Sequence, residues 1–456
     1  MRSLFYLGTV LIMSQFLVSQ TLNDITYLTQ TSLTGSARYT AMAGAFGALG
    51  GDLTAISNNP AASSVFLNTE IGGSLNFQAR ENESKYYGEF TSLNEEAFYF
   101  DQLGAVFVFN NTNEENPWSR ISAAINVNRV TNFDNQTSLS GINYKSIADY
   151  FLYYANGIAF EDIQLYDDET ISDIYRYLGD EIGFGAQQAF LGYQSYIIDP
   201  LSPNDLEKSY ISNISSNKYR NNLDIINSGF HRKTSFNFSA LYQNILHIGV
   251  NLNSHKLEFR NNQDFFEYDQ DIDSYIYDVN FDNDLISYGD GFSIQFGGIL
   301  KLKNIRIGAT YDSPQWIDIK DETQQKLSAY RSEDDFEIQE IIDPEITNSS
   351  SPYRLKIPSK TSLSFAYIFN MSGLISIDYS SQNLSNSYLS QNDTSEYLNS
   401  VNTEVSKTLN PINTLKIGGE YRFKDISFRA GYYYQTKNQD TNINEDQALT
   451  LGIGLD

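Results

Sequence analysis

Thr414-Leu415-Lys416-Ile417-Gly418-Gly419-Glu420-Tyr421-Arg422-Phe423, then Lys424-Asp425, then Ile426-Ser427-Phe428-Arg429-Ala430-Gly431-Tyr432-Tyr433-Tyr434-Gln435, is the stretch that decides the fold. Leu415, Ile417, Tyr421 and Phe423 fall on one parity, and Ile426, Phe428, Ala430 and Tyr432 continue it beyond the two-residue turn. Thr414, Lys416, Glu420 and Arg422 take the other parity with Ser427, Arg429 and Gln435. A period of two sends alternate side chains to opposite faces of a strand. Pairing Phe423 with Ile426 keeps both apolar faces on one side and sets Glu420 across from Arg429.

The same pattern repeats outward from this hairpin. Phe292 to Leu302 turns through Lys303-Asn304 into Ile305 to Tyr311. Phe236 to Tyr242 turns at Gln243-Asn244 into Leu246 to Leu252, and Leu363 to Phe369 turns at Met371-Ser372-Gly373 into Ile375 to Tyr379. Further strands are expected near 69–79, 97–109, 120–131 and 445–456, which makes twelve. Short connections (110–119, 243–245, 303–304, 370–373, 424–425) alternate with mostly long, Asn/Asp/Ser-rich ones (81–96, 132–230, 261–290, 319–353, 384–411, 437–444). A soluble sandwich has no reason to sort its loops this way. Outer-membrane barrels do, with short periplasmic turns and long extracellular loops. The reading is an all-β, antiparallel transmembrane β-barrel. Within 132–230, apolar residues at spacings of three and four around 147–152 and 171–189 predict short helices. The last strand alternates Leu449, Leu451, Ile453 and Leu455 but stops at Asp456 without a terminal aromatic.

Composition agrees. The 456 residues are 41% hydrophobic and 19% charged, yet carry 33 Tyr and 29 Phe. Residues 1–19 read as a signal peptide, with Arg2 ahead of an apolar core and cleavage before Gln20. No later apolar run reaches the roughly 18 residues of a membrane helix. In lipid the remaining solution is a closed barrel, because an open sheet edge has nothing to bond. A net charge of −26, from 56 acidic and 30 basic residues, speaks against a nucleic-acid partner. With no Cys, disulfides, Cys-ligated zinc and thiol nucleophiles are excluded.

Ahead of the first strand, Gly35 to Ala61 is dense in Gly and Ala. It contains Gly50-Gly51-Asp52 and Asn59-Pro60-Ala61, where Pro60 restricts Asn59 to an extended backbone. Small residues suit a compact plug in a crowded lumen, although a glycine-rich linker has the same composition. This segment resembles the FadL/TodX family of outer-membrane transporters for long-chain fatty acids and hydrocarbons, particularly its Bacteroidetes branch. The resemblance implies a hatch over 20–68, a barrel over 69–456, and hatch or gating roles for Gly50, Gly51, Asp52, Asn59, Pro60 and Ala61. It also implies passive uptake of a hydrophobic ligand with exit sideways at the third strand. That strand, Ile121 to Val130, holds no Gly or Pro, so no kink is visible in it. The family's fourteen strands against twelve counted here suggest a chain without its final hairpin.

A fatty-acid carboxylate needs a cation or donor if it is buried. Arg38, Arg306, Lys416 and Arg422 are the candidates, each with the plainer alternative of a structural lumen charge. Lys301 and Arg306 oppose each other and call for an anion, for which Asp24 or Asp52 of the hatch is the expectation. His231, His247 and His255 share the inward parity of one hairpin, and His231 with His255 offers a weak metal or haem site. Asp269, Asp271 and Asp273 lack the Gly and closing Glu of an EF-hand loop. No G-x-S-x-G or H-E-x-x-H occurs, so no enzyme is expected, and no cofactor. The expected partners are outer-membrane lipid and lipopolysaccharide, a hydrophobic small molecule and the barrel-assembly machinery. The rival readings are a haemin-binding receptor and a structural or adhesive barrel.

Overall fold

The structure, a computed structural model, describes residues 25, 26, 28, 29, 31–113, 115–215, 218–269, 275–333, 336–370, 372–391, 396–437 and 445–455. The expected signal peptide, Asp24, Met371, Asp271 and Asp273 lie outside the described residues.

Among the described residues, twelve antiparallel spans form one continuous ladder. They are β1 (Glu70–Tyr86); β2 (Glu89–Asn110); β3 (Trp118–Asn132) continued by β4 (Asn135–Asn143); β5 (Tyr219–Tyr242); β6 (Leu246–Asp269); and β7 (Ile276–Leu302). Then come β8 (Ile305–Asp312) continued by β9 (Gln315–Glu333); β10 (Phe336–Ile342), β11 (Tyr353–Ile357) and β12 (Lys360–Phe369) in succession; β13 (Gly373–Asn383); β14 (Pro411–Phe423); β15 (Ile426–Gln435); and β16 (Asp446–Leu455). Each span pairs with the next, and Phe423↔Ile426 and Glu420↔Arg429 are in the register that the alternation requires. Leu415, Ile417, Tyr421 and Phe428 point outward, while Gly418, Glu420 and Ser427 are buried inside. Ile417 is 37% and Phe428 48% exposed, the apolar outer face of a transmembrane wall.

Several long connections differ from expectation because they are strand. The stretch 81–96 is mostly the far half of the β1–β2 hairpin, which turns at Tyr87-Gly88. β6 and β7 likewise run well past the roughly 11 residues that cross a bilayer. Their outer halves, on the long-loop side, carry Asn, Asp, Gln and Glu where the apolar stripe ends. The helices expected in 132–230 are present as α3 (Ala148–Ala155), α4 (Ile171–Tyr177) and α5 (Phe184–Gln194).

Residues 37–66 fold inside the wall near the short turns, around α1 (Ala37–Ala41), α2 (Ala55–Asn58) and a 3-10 turn over Pro60–Val65. Every span touches this hatch. A Cβ on Gly249, Gly308, Gly418 or Gly431 would lie 2.3–2.6 Å from hatch backbone, so the wall is built of glycine where the hatch leans on it.

Candidate functional site

From the short turns outward the lumen holds three packed layers. The first is the hatch. Asn59 takes the extended backbone that Pro60 imposes (φ −141°, ψ 115°), and its Oδ1 accepts from Ala61 N at 3.0 Å. Its Nδ2 donates to Gly47 O and Gly298 O, at 2.6 and 3.2 Å. Gly50 and Gly51 sit at φ +64° and +66°, which side chains rarely adopt. Asp52 accepts from Ser36 Oγ at 2.5 Å and Thr54 N at 2.8 Å. Amides of the wall bond carbonyls of the hatch: Asn251 donates to Ile56 O, Asn237 to Pro60 O, Asn126 to Leu53 O.

The candidate cations serve the same layer. Arg38 grips Glu420 with Nε and Nη2 (2.8 and 3.0 Å), and Arg429 Nε donates to the same carboxylate at 2.6 Å. Lys416 lies 5.9 Å from the ring centres of both Tyr39 and Tyr433. Arg306 opposes Lys301 as expected, and it donates to Leu49 O. Asp52 is committed within the hatch, and Asp24, the other expected acid, lies outside the described residues. Arg422 stands exposed near the short turn, two positions beyond Glu420 on β14.

The second layer is an apolar slot. Leu257, Phe259, Ile317, Ile319, Leu355 and Ile357 line it from the wall, and Ile25 and Leu28 of the N-terminal segment fill it together with Leu398, Val401 and Val405 of a helix over Glu396–Thr408. His231 and His255 border it, and β5 runs on outward from them to Tyr219, so they lie below the mouth rather than at it. Among the described residues no third His, Asp or Glu joins them, and two imidazoles fall short of a zinc site.

The third layer is a cap. α3 and α5 pack Tyr150, Phe151, Ala189 and Phe190 against Leu223, Phe265, Phe281 and Leu327 of the wall. The void beneath it, next to Ile147 and Tyr150, is about 20 Å³, room for about one water. A wider apolar depression of about 880 Å³, around Gly419, Tyr421, Phe428 and Ala430, opens on the outer face and belongs to the lipid boundary.

The wall is not uniform beside the slot. β2 and β3 share a ladder only from Asn110↔Arg120 to Gln102↔Asn128. Beyond it β3 bulges at Arg129/Thr131 and breaks before β4. The edge of β4 is instead bridged by side chains of β1: Arg80 donates to Asp134 O and Asn82 to Gln136 O, at 2.6 and 2.7 Å, and Ser84 to Ser138 O. The permissive residue is Gly229 on β5, at φ +116°, where a Cβ would meet Glu258 O at 2.1 Å. A reading confined to β3 misses it. On the lumen side this seam is covered by the N-terminal segment. Ser32 N donates to Val130 O (2.9 Å), Thr34 Oγ1 to Arg129 O (2.6 Å) and Gly35 N to Asp101 Oδ2 (3.3 Å). Arg129 Nε donates to Asp101 Oδ1 at 2.9 Å, and its guanidinium stacks 4.3 Å from the Tyr99 ring centre.

No protein-family model and no curated protein matches the sequence. Solved structures do. A FadL homologue of Pseudomonas aeruginosa aligns over 93% of this chain and 86% of its own, at 11% identity and a TM-score of 0.50. The Pseudomonas putida toluene transporter TodX aligns over 93% and 90% at 13% identity (TM-score 0.43), and the Ralstonia pickettii toluene transporter TbuX over 92% and 89% at 12% (TM-score 0.43). The chain has the fold of the FadL homologue.

Proposed function

We propose that this chain is an outer-membrane channel of the FadL/TodX type, which passes hydrophobic small molecules such as long-chain fatty acids or hydrocarbons by passive diffusion. The long loops and the cap face the outside, as in outer-membrane barrels. Cargo moves past the cap into the slot, and leaves sideways through the seam between β2 and β3–β4. The resemblance of Gly35 to Ala61 to that family's hatch and the shared barrel fold support the reading.

One observation carries the mechanism. The N-terminal segment packs Ile25 and Leu28 into the slot and, a few residues on, covers the seam with Ser32, Thr34 and Gly35. Cargo that displaces the first pair draws the second set off β3, so loading of the slot and opening of the seam become one event. The hatch below need not leave. Freeing it would break each of its bonds to the wall amides, at about 0.5–1.5 kcal/mol apiece.

The natural sequence has no Cys, so Ser84→Cys with Ser138→Cys gives a clean pair across the seam. Bridged by a short, cleavable bifunctional thiol reagent, the pair is expected to cut uptake of radiolabelled oleate by whole cells about tenfold or more. Cleaving the bridge restores it. Uptake that is indifferent to the bridge overturns the lateral route.

A further inference from the structure

The outer face of the wall carries a row of charge at one level. In the ladder Arg232 of β5 stands directly across from Lys256 of β6, and Lys256 from Asp290 of β7. Asp290 faces Asp318 of β9, and Asp318 faces Arg354 of β11. All five are exposed. The next row towards the short turns holds Phe292, Trp316, Lys356 and Tyr388, also exposed and also in register. Trp and Tyr gather where membrane meets water. The stretches from Arg232 to Tyr242 and from Leu246 to Lys256 match the roughly 9–11 residues with which a strand crosses a bilayer. Aromatic girdle and strand length agree, and they set Arg232 and Lys256 at the headgroup level on the long-loop side.

At one end this row is unbalanced. Asp318 is held by Arg354 through Nε and Nη2, at 2.7 and 2.9 Å, and Glu258 by Arg260 Nε at 2.9 Å. Arg129, the ladder partner of Arg232 on β3, turns into the lumen to Asp101. Among the described residues neither Arg232 nor Lys256 has a hydrogen-bond or ion-pair partner, Asp290 included. The Arg232 guanidinium rests 4.0 Å from the centre of the Phe230 ring. Like charges directly opposite each other destabilise a strand pair. Two cations are thus left side by side on the outside of a chain whose net charge is −26, at the depth where a lipid presents its phosphate. Below them the face is apolar, with Phe236, Leu252 and Phe292 all exposed.

We propose that Arg232 and Lys256 bind a phosphate of the lipid A part of lipopolysaccharide, whose acyl chains lie down the wall over Phe236, Leu252 and Phe292. The inference rests on the long loops facing outside, and on nothing about cargo. Basic groups at the membrane surface attract lipid phosphates. The planar fork of Arg232 matches a phosphate's oxygens, and Lys256 adds a point charge from the facing strand. A phosphate between them also relieves their mutual repulsion. Phospholipids of the inner leaflet carry their phosphates at the short-turn end, a bilayer's thickness away.

Detergent-purified full-length protein is titrated with defined lipids and read by native mass spectrometry. The probes are bisphosphorylated lipid A, the same lipid with both phosphates removed, and phosphatidylglycerol. The natural protein is expected to bind the bisphosphorylated form about tenfold more tightly than the dephosphorylated one. Arg232→Gln with Lys256→Gln is expected to bring the two to one level, while Lys208→Gln, which removes an exposed charge from the cap, leaves the preference in place. Arg232→Gln alone carries the test if the double variant lacks the heat-modifiable band of a folded barrel. An undiminished preference in both variants overturns the site. Displacement of lipid A by equimolar inorganic phosphate also overturns it, because the pair would then read any anion. A preference for phosphatidylglycerol that needs the two cations overturns it and the orientation of the long loops together. Oleate uptake by cells is read separately, so the channel and the lipid site fail independently.

Discussion

Glu420 accepts from two arginines at once, Arg38 of the hatch and Arg429 of its own wall, and its side chain is 7% exposed. Breaking such a buried pair leaves charge uncompensated and costs about 3–5 kcal/mol. Glu420→Gln is therefore expected to release the first turn of the hatch while the strand ladder persists. Hydrogen exchange read by mass spectrometry should show residues 36–46 losing protection and β14–β15 keeping theirs. Unchanged protection in the hatch would mean that the small-residue packing alone holds it. The same carboxylate shows what could be read from sequence. Its pairing with Arg429 follows from strand parity and the two-residue turn. Its second partner does not, because the position of Arg38 depends on how a non-repeating hatch packs against distant strands. Arg306 and Lys416 were legible as lumen cations for the same reason, while their partners, Leu49 O and the rings of Tyr39 and Tyr433, were not. His231 and His255 were legible as neighbours on one inward face, and the structure adds the bond between them.

Among the elements, the cap carries a network of neutral polar side chains between its helices and the wall. Tyr150 OH donates to Gln188 Oε1 at 2.9 Å, Gln188 Nε2 to Gln325 Oε1 at 2.7 Å, and Tyr175 OH to Gln325 Oε1 at 2.8 Å. Burial pushes both phenols up from the ordinary value near 10, with neighbouring tyrosines adding to the effect at Tyr150. A raised folded-state value means that these protons stay on in the folded cap after an unfolded chain has released them. The stability they contribute is complete below pH 10 and is lost as pH rises beyond it. Protease cleavage within 144–215 is thus expected to rise steeply above pH 10, in step with tyrosinate absorbance at 295 nm, before the barrel unfolds. Cleavage independent of pH through that range would show that the apolar contacts of α3 and α5 suffice. Helical spacing made α3 to α5 legible. The break after β3 was hidden because its permissive glycine, Gly229, sits on the next strand. The long strands beyond the bilayer were hidden because there they carry no apolar stripe.

At the scale of the whole molecule, hatch, slot and cap close the lumen in series. They are built differently: wall amides bonded to backbone carbonyls, an inserted apolar segment, and helices over a polar network. Barriers in series mean that relieving one leaves the others closed. In planar lipid bilayers the natural protein is therefore expected to show no steady ionic conductance. Asn59→Ala, which removes the bonds to Gly47 O, Gly298 O and Ala61 N, is expected to stay closed as well, even though it costs the hatch about 1–3 kcal/mol per orphaned group. Stable open steps in that variant alone would mean that the hatch is the sole seal and that slot and cap leak. Closed records from both, together with uptake of an apolar probe by cells, would fit a route that bypasses the hatch through the wall: the seam opens for cargo without ever making a continuous water path.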